Sequence, residues 1–197
     1  MLRTEAKTVQ TENDMQRYTP HDYPMPAYER ELFEQHTYDE LLTIMKTLFG
    51  HSAMGLYRRT FLDRDVVYKL PASTYSYDMR TNVYEYIAWL HFRFGMSDVP
   101  IAPCELIFTK DGVPIIAMAR VVNPEWNIPH DAPQWCHALA EEQCAKLPNG
   151  KWVCYDAGSG LSFFYNNTSS KPVDIISEDM LYGVLAAALD PRWAGVA

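Results

Sequence analysis

No stretch of the 197-residue sequence comes near the run of about 20 apolar residues that a membrane-spanning helix needs. Met1–Asn13 has no apolar leader core, so a cytoplasmic setting is expected, or a virion if the chain is viral. Cysteine chemistry is also thin. Cys104, Cys136, Cys144 and Cys154 form no C-x-x-C pair, and His137 beside Cys136 completes no zinc spacing. Buried free thiols are the expectation. There is no P-loop, no H-E-x-x-H and no G-x-S-x-G elbow, since Gly158-Ser159-Gly160 lacks the spacing. The histidines His21, His36, His51, His91, His130 and His137 are dispersed. The sequon Asn166-Asn167-Thr168 means nothing without secretion.

Positive charge is scarce as well. Seventeen Lys and Arg face 25 Asp and Glu, a net charge of −8. That argues against non-specific binding to nucleic acid, whose phosphates attract clustered cations. The single basic cluster, Arg58, Arg59 and Arg64, is expected on the solvent face of a hairpin and is a candidate phosphate or acidic-partner site.

What is present fits one α+β domain: an antiparallel sheet of about four to five strands flanked by helices. Apolar residues make up 48% of the chain, and 13 tyrosines supply amphipathic bulk for a core rim or an interface. Residues 1–26 form a polar arm ending in the proline-rich Pro20–Pro26, too polar to pack alone. Such an arm is expected to be tied down by another protein or by copies of the same chain. Residues 27–197 are expected to form the single globular domain.

The elements follow from periodicity and punctuation. A short helix is expected over Ala27–Gln35. Thr37-x-x-Glu40 is a capping box before the stripe Leu41, Leu42, Met45 and Leu48, with Gly50 as the stop. Leu56–Leu62 and Val66–Leu70 read as strands joined by Asp63-Arg64-Asp65. A helix runs from Met79 to Phe94 on Val83, Ile87, Leu90 and Phe94, and Gly95 ends it. Cys104–Thr109 and Val113–Val121 are strands around Lys110-Asp111-Gly112, with Pro114 at a strand start or an edge. Asp131-x-x-Gln134 opens a helix to Ala145. Asn149-Gly150 predicts a type I′ turn before a strand over Lys151–Tyr155, then the loop Asp156–Gly160. Ser177 caps a last helix ending near Asp190-Pro191.

Hairpin, helix and two strands in that order resemble a protein-kinase N-lobe. Gly55-Leu-Tyr-Arg-Arg-Thr-Phe61 sits where that family has its phosphate-covering loop. Val66-Val67-Tyr68-Lys69 resembles the V-A-I-K strand, and Glu85, in Asn82-Val-Tyr-Glu85, sits where the helix glutamate pairs with the lysine. Val99–Cys104 followed by Ile115–Ala119 looks like the strands leading to the hinge. Tyr155-Asp-Ala-Gly158 looks like the metal-binding D-F-G element, with Ala157 for Phe. The resemblance implies that Lys69 holds nucleotide phosphates, Glu85 orients Lys69 and Asp156 binds Mg²⁺, because phosphoryl transfer needs positioning and charge neutralisation.

The chain departs from that family where catalysis resides. One glycine, Gly55, stands for three. No H-R-D motif exists: Leu139 takes the catalytic-base position and Cys144 that of the metal-binding asparagine, with Glu141 and Glu142 as substitutes of low merit. The stretches from Ala119 to Asp156 and after Gly160 are short for the helices of a second lobe. A missing base and metal ligand each cost orders of magnitude in rate. The first expectation is therefore a non-catalytic protein-interaction or assembly protein without cofactor. In style it resembles small bacteriophage proteins, virion subunits or inhibitors of host machinery. The alternative is a minimal Mg-ATP-binding phosphotransferase using Gly55, Lys69, Glu85 and Asp156. In a third reading Lys69–Glu85 is an ordinary ion pair and Asp156 a turn residue.

Overall fold

The computed structural model describes residues 27–93, 97, 99–122, 128–137, 139 and 143–157. The arm over residues 1–26, the loop glycines Gly158 and Gly160 and the helix expected after Ser177 lie outside the described residues.

Helix α1 (Arg30–Glu34) is shorter than its expected span. Helix α2 (Tyr38–Phe49) begins where the capping box places it. Thr37 donates both its N–H and its hydroxyl to the Glu40 carboxylate at 2.9 Å. Gly50 closes it at φ 76°, donating its N–H to the Lys46 carbonyl. Tyr38, Leu41 and Met45 are its buried stripe. Leu48, expected in that stripe, is 59% exposed. Phe49 turns inward instead, its ring 5.7 Å from that of Tyr68.

Five antiparallel strands follow in the order β1-β2-β3-β5-β4: β1 (Ala53–Met54), β2 (Arg58–Leu62), β3 (Val66–Pro71), β4 (Cys104–Phe108) and β5 (Pro114–Ala119). The class and strand number match the expectation; β1 has no sequence signal of its own. Asp63–Asp65 joins β2 to β3, with the Arg64 N–H donating to the Asp63 carboxylate at 2.7 Å. The register sets Thr60 opposite Lys69 and Arg58 opposite Pro71. At the β4–β5 turn, Gly112 takes φ 81° and donates to the Thr109 carbonyl. Pro114 opens β5, where its missing N–H costs least.

Helix α3 (Ser76–Arg93) starts three residues before expected. Besides Val83 and Ile87 it buries Asn82, Glu85, Ala88, Trp89 and Phe92, so it is covered on more than one side.

The helix expected from Asp131 to Ala145 is corrected. Helix α4 covers only Gln134–His137, and Cys144–Lys146 is a strand, β6, paired antiparallel with β7 (Trp152–Cys154). Pairing places Cys144, Val153 and Cys154 in the core, and that tertiary gain overrides local helix preference. The turn is not type I′ either. Leu147 N–H bonds the Lys151 carbonyl, and Gly150 N–H, at φ 83°, bonds the Leu147 carbonyl, a three-residue loop with a left-handed glycine.

The sheet carries a core on each face, because successive strand residues point opposite ways. Val66, Tyr68, Leu70, Ile115 and Ala117 pack against Phe33, Leu41 and Met45 of α1 and α2. Ile116, Met118, Cys104 and Leu106 pack with Val83 and Ile87 of α3 and with β6–β7. All four cysteines are free and buried, as expected. Among the described residues no helix is long and apolar enough to cross a membrane.

Candidate functional site

Alternation in β3 decides where Lys69 goes. Its even-numbered neighbours enter the α1/α2 core, so Lys69 and Val67 face the side that carries α3. Asn82 fixes the helix over that side: its Nδ2 donates to the carbonyls of Lys69 and Pro114, each at 2.9 Å. Glu85, three residues on and so on the same helix face, comes to rest on Lys69. The ammonium donates to Glu85 Oε1 at 2.9 Å and Oε2 at 3.0 Å, and to the Tyr155 carbonyl.

The third element arrives from much further along the sequence, at Tyr155–Ala157, with Ala157 72 residues beyond Glu85. Strand β7 is stitched to the loop before β4: Cys154 N–H bonds the Pro100 carbonyl, and Ala102 N–H bonds the Cys154 carbonyl, both at 2.8 Å. That delivers Tyr155–Ala157 beneath β3 and α3. Ala157 N–H donates to Glu85 Oε1 at 3.1 Å. Arg58, from β2, donates one Nη to Glu85 Oε2 and sets the other against the Asp156 carboxylate. Lys69, Glu85 and Asp156, brought together here, are separated in sequence by 16 residues in one case and by most of the described chain in the other.

Charge is balanced within this knot. Burial works to raise the Glu85 carboxyl, but Arg58, Lys69 and the Ala157 N–H outweigh it and hold the group below its ordinary value. Burial pulls Lys69 down to about 8, against the attraction of Glu85 and with the help of repulsion from Arg58. The side chains of Glu85, Lys69 and Arg58 are 0%, 6% and 10% exposed, whereas Asp156 is 44% exposed. Asp156 is thus the outer member, at the boundary with solvent.

That boundary is a cleft of about 500 Å³, a volume suited to a small organic ligand. Its apolar wall is Leu56, Leu62, Val67 and Val121, and its polar floor includes Arg58, Thr60, Lys69 and Asp156. Arg120 stands at the rim, donating to the Asp63 carbonyl at 2.9 Å. Gly55 lines the cleft, but its N–H bonds the Arg58 carbonyl at 2.9 Å, and its backbone would accept a side chain.

The basic cluster does not lie together on a solvent face. Only Arg64 is exposed, at the turn. Arg58 and Arg59 are adjacent in β2 and so take opposite faces: Arg58 enters the Glu85 knot, and Arg59 lies near the Tyr38 hydroxyl on the α2 side. A guanidinium tolerates the burial of Arg58 because two carboxylates meet its fork. Sequence reasoning missed this role and that of Asn82. The hairpin register, which puts Arg58 and Thr60 on the Lys69 face, is the signal that would have found the arginine.

The two residues that the kinase resemblance singled out for a base and a metal ligand are apolar and inward. Leu139 and Cys144 are both buried in the α3 core. Glu141 and Glu142 lie outside the described residues. The donor set does not fit Mg²⁺ as it stands: Glu85 is engaged by two cations and an N–H, and Asp156 by Arg58. Among the described residues no three His, Cys, Asp or Glu side chains gather to hold a metal ion. In comparisons with known proteins, no family model, no curated protein and no solved structure matches the chain.

Proposed function

We propose that the cleft binds a nucleotide through its phosphates and that the chain uses this binding for recognition rather than for phosphoryl transfer. One observation carries the reading: Arg58 and Lys69, both tied to the buried Glu85, line an open cleft together with Asp156. A surface ion pair would not need burial, a carboxylate that also holds Arg58, and a helix clamped by Asn82. The apolar wall of Leu56, Leu62, Val67 and Val121 suits a flat base, and the cationic floor suits phosphate. Leu139 and Cys144, where the resemblance places the base and a metal ligand, offer neither group, which favours binding over turnover.

Thermal unfolding in increasing ATP tests this. Saturable stabilisation is expected, and its loss in Lys69→Met, which keeps the aliphatic stem, would tie it to the cleft. No shift at millimolar nucleotide overturns the reading.

A second reading, a protein-interaction or assembly role, rests on large apolar side chains left exposed. Met54, Leu56, Tyr75 and Tyr77 are 60–80% exposed, and large exposed apolar side chains are the material of protein contacts. The partner would be another protein or a second copy of the chain, engaged with the arm over residues 1–26. Deleting those residues should leave the domain folded and abolish partner binding or self-association, read by light scattering. A truncation that assembles normally defeats this role.

A further inference from the structure

The carboxylate that a divalent cation would need is already held by a cation of the protein. The outer Nη of Arg58 lies against Asp156, and its inner Nη lies against Glu85. The two carboxylates are thereby bridged by one guanidinium, which occupies the place between them that a bridging metal would take. Lys69 turns all its donors inward, to Glu85 and the Tyr155 carbonyl, so it offers a ligand its charge rather than a hydrogen bond. Arg58 has five donors, of which the two contacts use two, and it lines the cleft. Asp156 is the one partner in the knot with substantial solvent contact and therefore the one an incoming anion can displace.

Resting on the nucleotide reading, we propose that the cleft takes its nucleotide as the metal-free polyphosphate, with Arg58 supplying the charge that Mg²⁺ would supply and Asp156 acting as an internal anion that the phosphates displace. Three cations, Arg58, Lys69 and Arg120, border the site against two carboxylates, Glu85 and Asp156, inside a chain whose net charge is −8. The positive surplus is local. A polyphosphate stripped of metal keeps its full charge and gains most from it, whereas magnesium neutralises part of that charge and brings a cation toward Arg58.

The test is ATP binding to the full chain by calorimetry, in EDTA and in excess magnesium chloride, for the wild type and for Asp156→Asn. Wild type should bind at least as tightly in EDTA as in magnesium. Asp156→Asn, which removes the competing anion at a half-exposed position, should bind roughly threefold more tightly in EDTA. A metal ligand at Asp156 predicts the opposite: binding that is tighter with magnesium and lost in Asp156→Asn. Either result overturns this inference while leaving nucleotide binding intact. Absence of saturable ATP binding in both buffers overturns the nucleotide reading itself and this inference with it. Arg58→Gln should weaken binding in EDTA about tenfold. Undiminished binding by that variant also overturns the proposal; should the variant fail to fold, the magnesium and Asp156→Asn comparisons decide alone.

Discussion

Glu85 is the side chain on which the site depends. It is wholly buried and holds two cations that have almost no solvent of their own. Glu85→Gln leaves Lys69 without a counter-charge and Arg58 with Asp156 alone, and a loss of about 3–5 kcal/mol is expected in urea unfolding. Lys69 titrates far below an ordinary lysine, at about 8 against 10.5, because burial disfavours its charge. Between those values the unfolded chain binds the proton and the folded chain does not. The stability contributed by Lys69 is therefore greatest above pH 10.5 and declines as pH falls through 8. A rise in unfolding free energy of wild type relative to Lys69→Met across that window would confirm it. Ligand affinity has the opposite trend. Phosphate binding needs the ammonium, so ATP affinity should be flat below pH 8 and weaken above it, and Lys69→Met should show no such inflection.

At the scale of the element, the site is a problem of aligning α3 with β3. Val83 and Ile87 bury the helix, but apolar contact leaves rotation and sliding soft. Asn82 removes that freedom by binding the carbonyls of two different strands from one amide. Asn82→Ala abandons two carbonyls in the core and should cost about 1–3 kcal/mol. As a positioning residue it should also weaken ATP binding, since Glu85 loses its registry on Lys69. A variant that is destabilised but binds ATP normally would show that Glu85 holds Lys69 without this clamp. Hairpins were the elements most legible in advance. Gly112 and Gly150 both sit at positive φ in turns named from Lys110-Asp111-Gly112 and Asn149-Gly150. Helices were less so: the pattern after Asp131 reads as helical as far as Ala145, yet Cys144–Lys146 pairs as a strand. Local propensity is a matter of tenths of a kcal/mol per residue, and burying a strand outweighs it.

For the molecule as a whole, the sheet separates two jobs. One face, with α1 and α2, is an apolar layer around Leu41, Met45 and Phe61. The other, with α3 and the β6–β7 hairpin, is apolar beneath β4 and β5 and charged beneath β2 and β3. Leu41→Ala should cost about 2–5 kcal/mol through the cavity it leaves, yet leave ATP affinity in the folded protein unchanged, because nothing from α2 reaches the cleft. A concomitant loss of affinity would show that the two faces are coupled through the sheet. Charge makes the same point. The molecule is acidic, and net charge predicts no affinity for anions. A cationic cleft arises only because three basic side chains from β2, β3 and the segment after β5 are gathered at one place.

The amino-acid order alone determined the α+β class, the capping box at Thr37, the β2–β3 and β4–β5 hairpins and the candidate set Lys69, Glu85 and Asp156, since these rest on periodicity, turn chemistry and residue type within short windows. Convergence of that set was decided only by tertiary structure. Asp156 reaches Lys69 because β7 is hydrogen-bonded to the loop before β4, a long-range pairing with no local signature. The place of Arg58 was decided there too. By composition it is a surface arginine in a basic cluster; in the fold it is buried, because Glu85 and Asp156 together compensate the loss of water, and no sequence window contains all three.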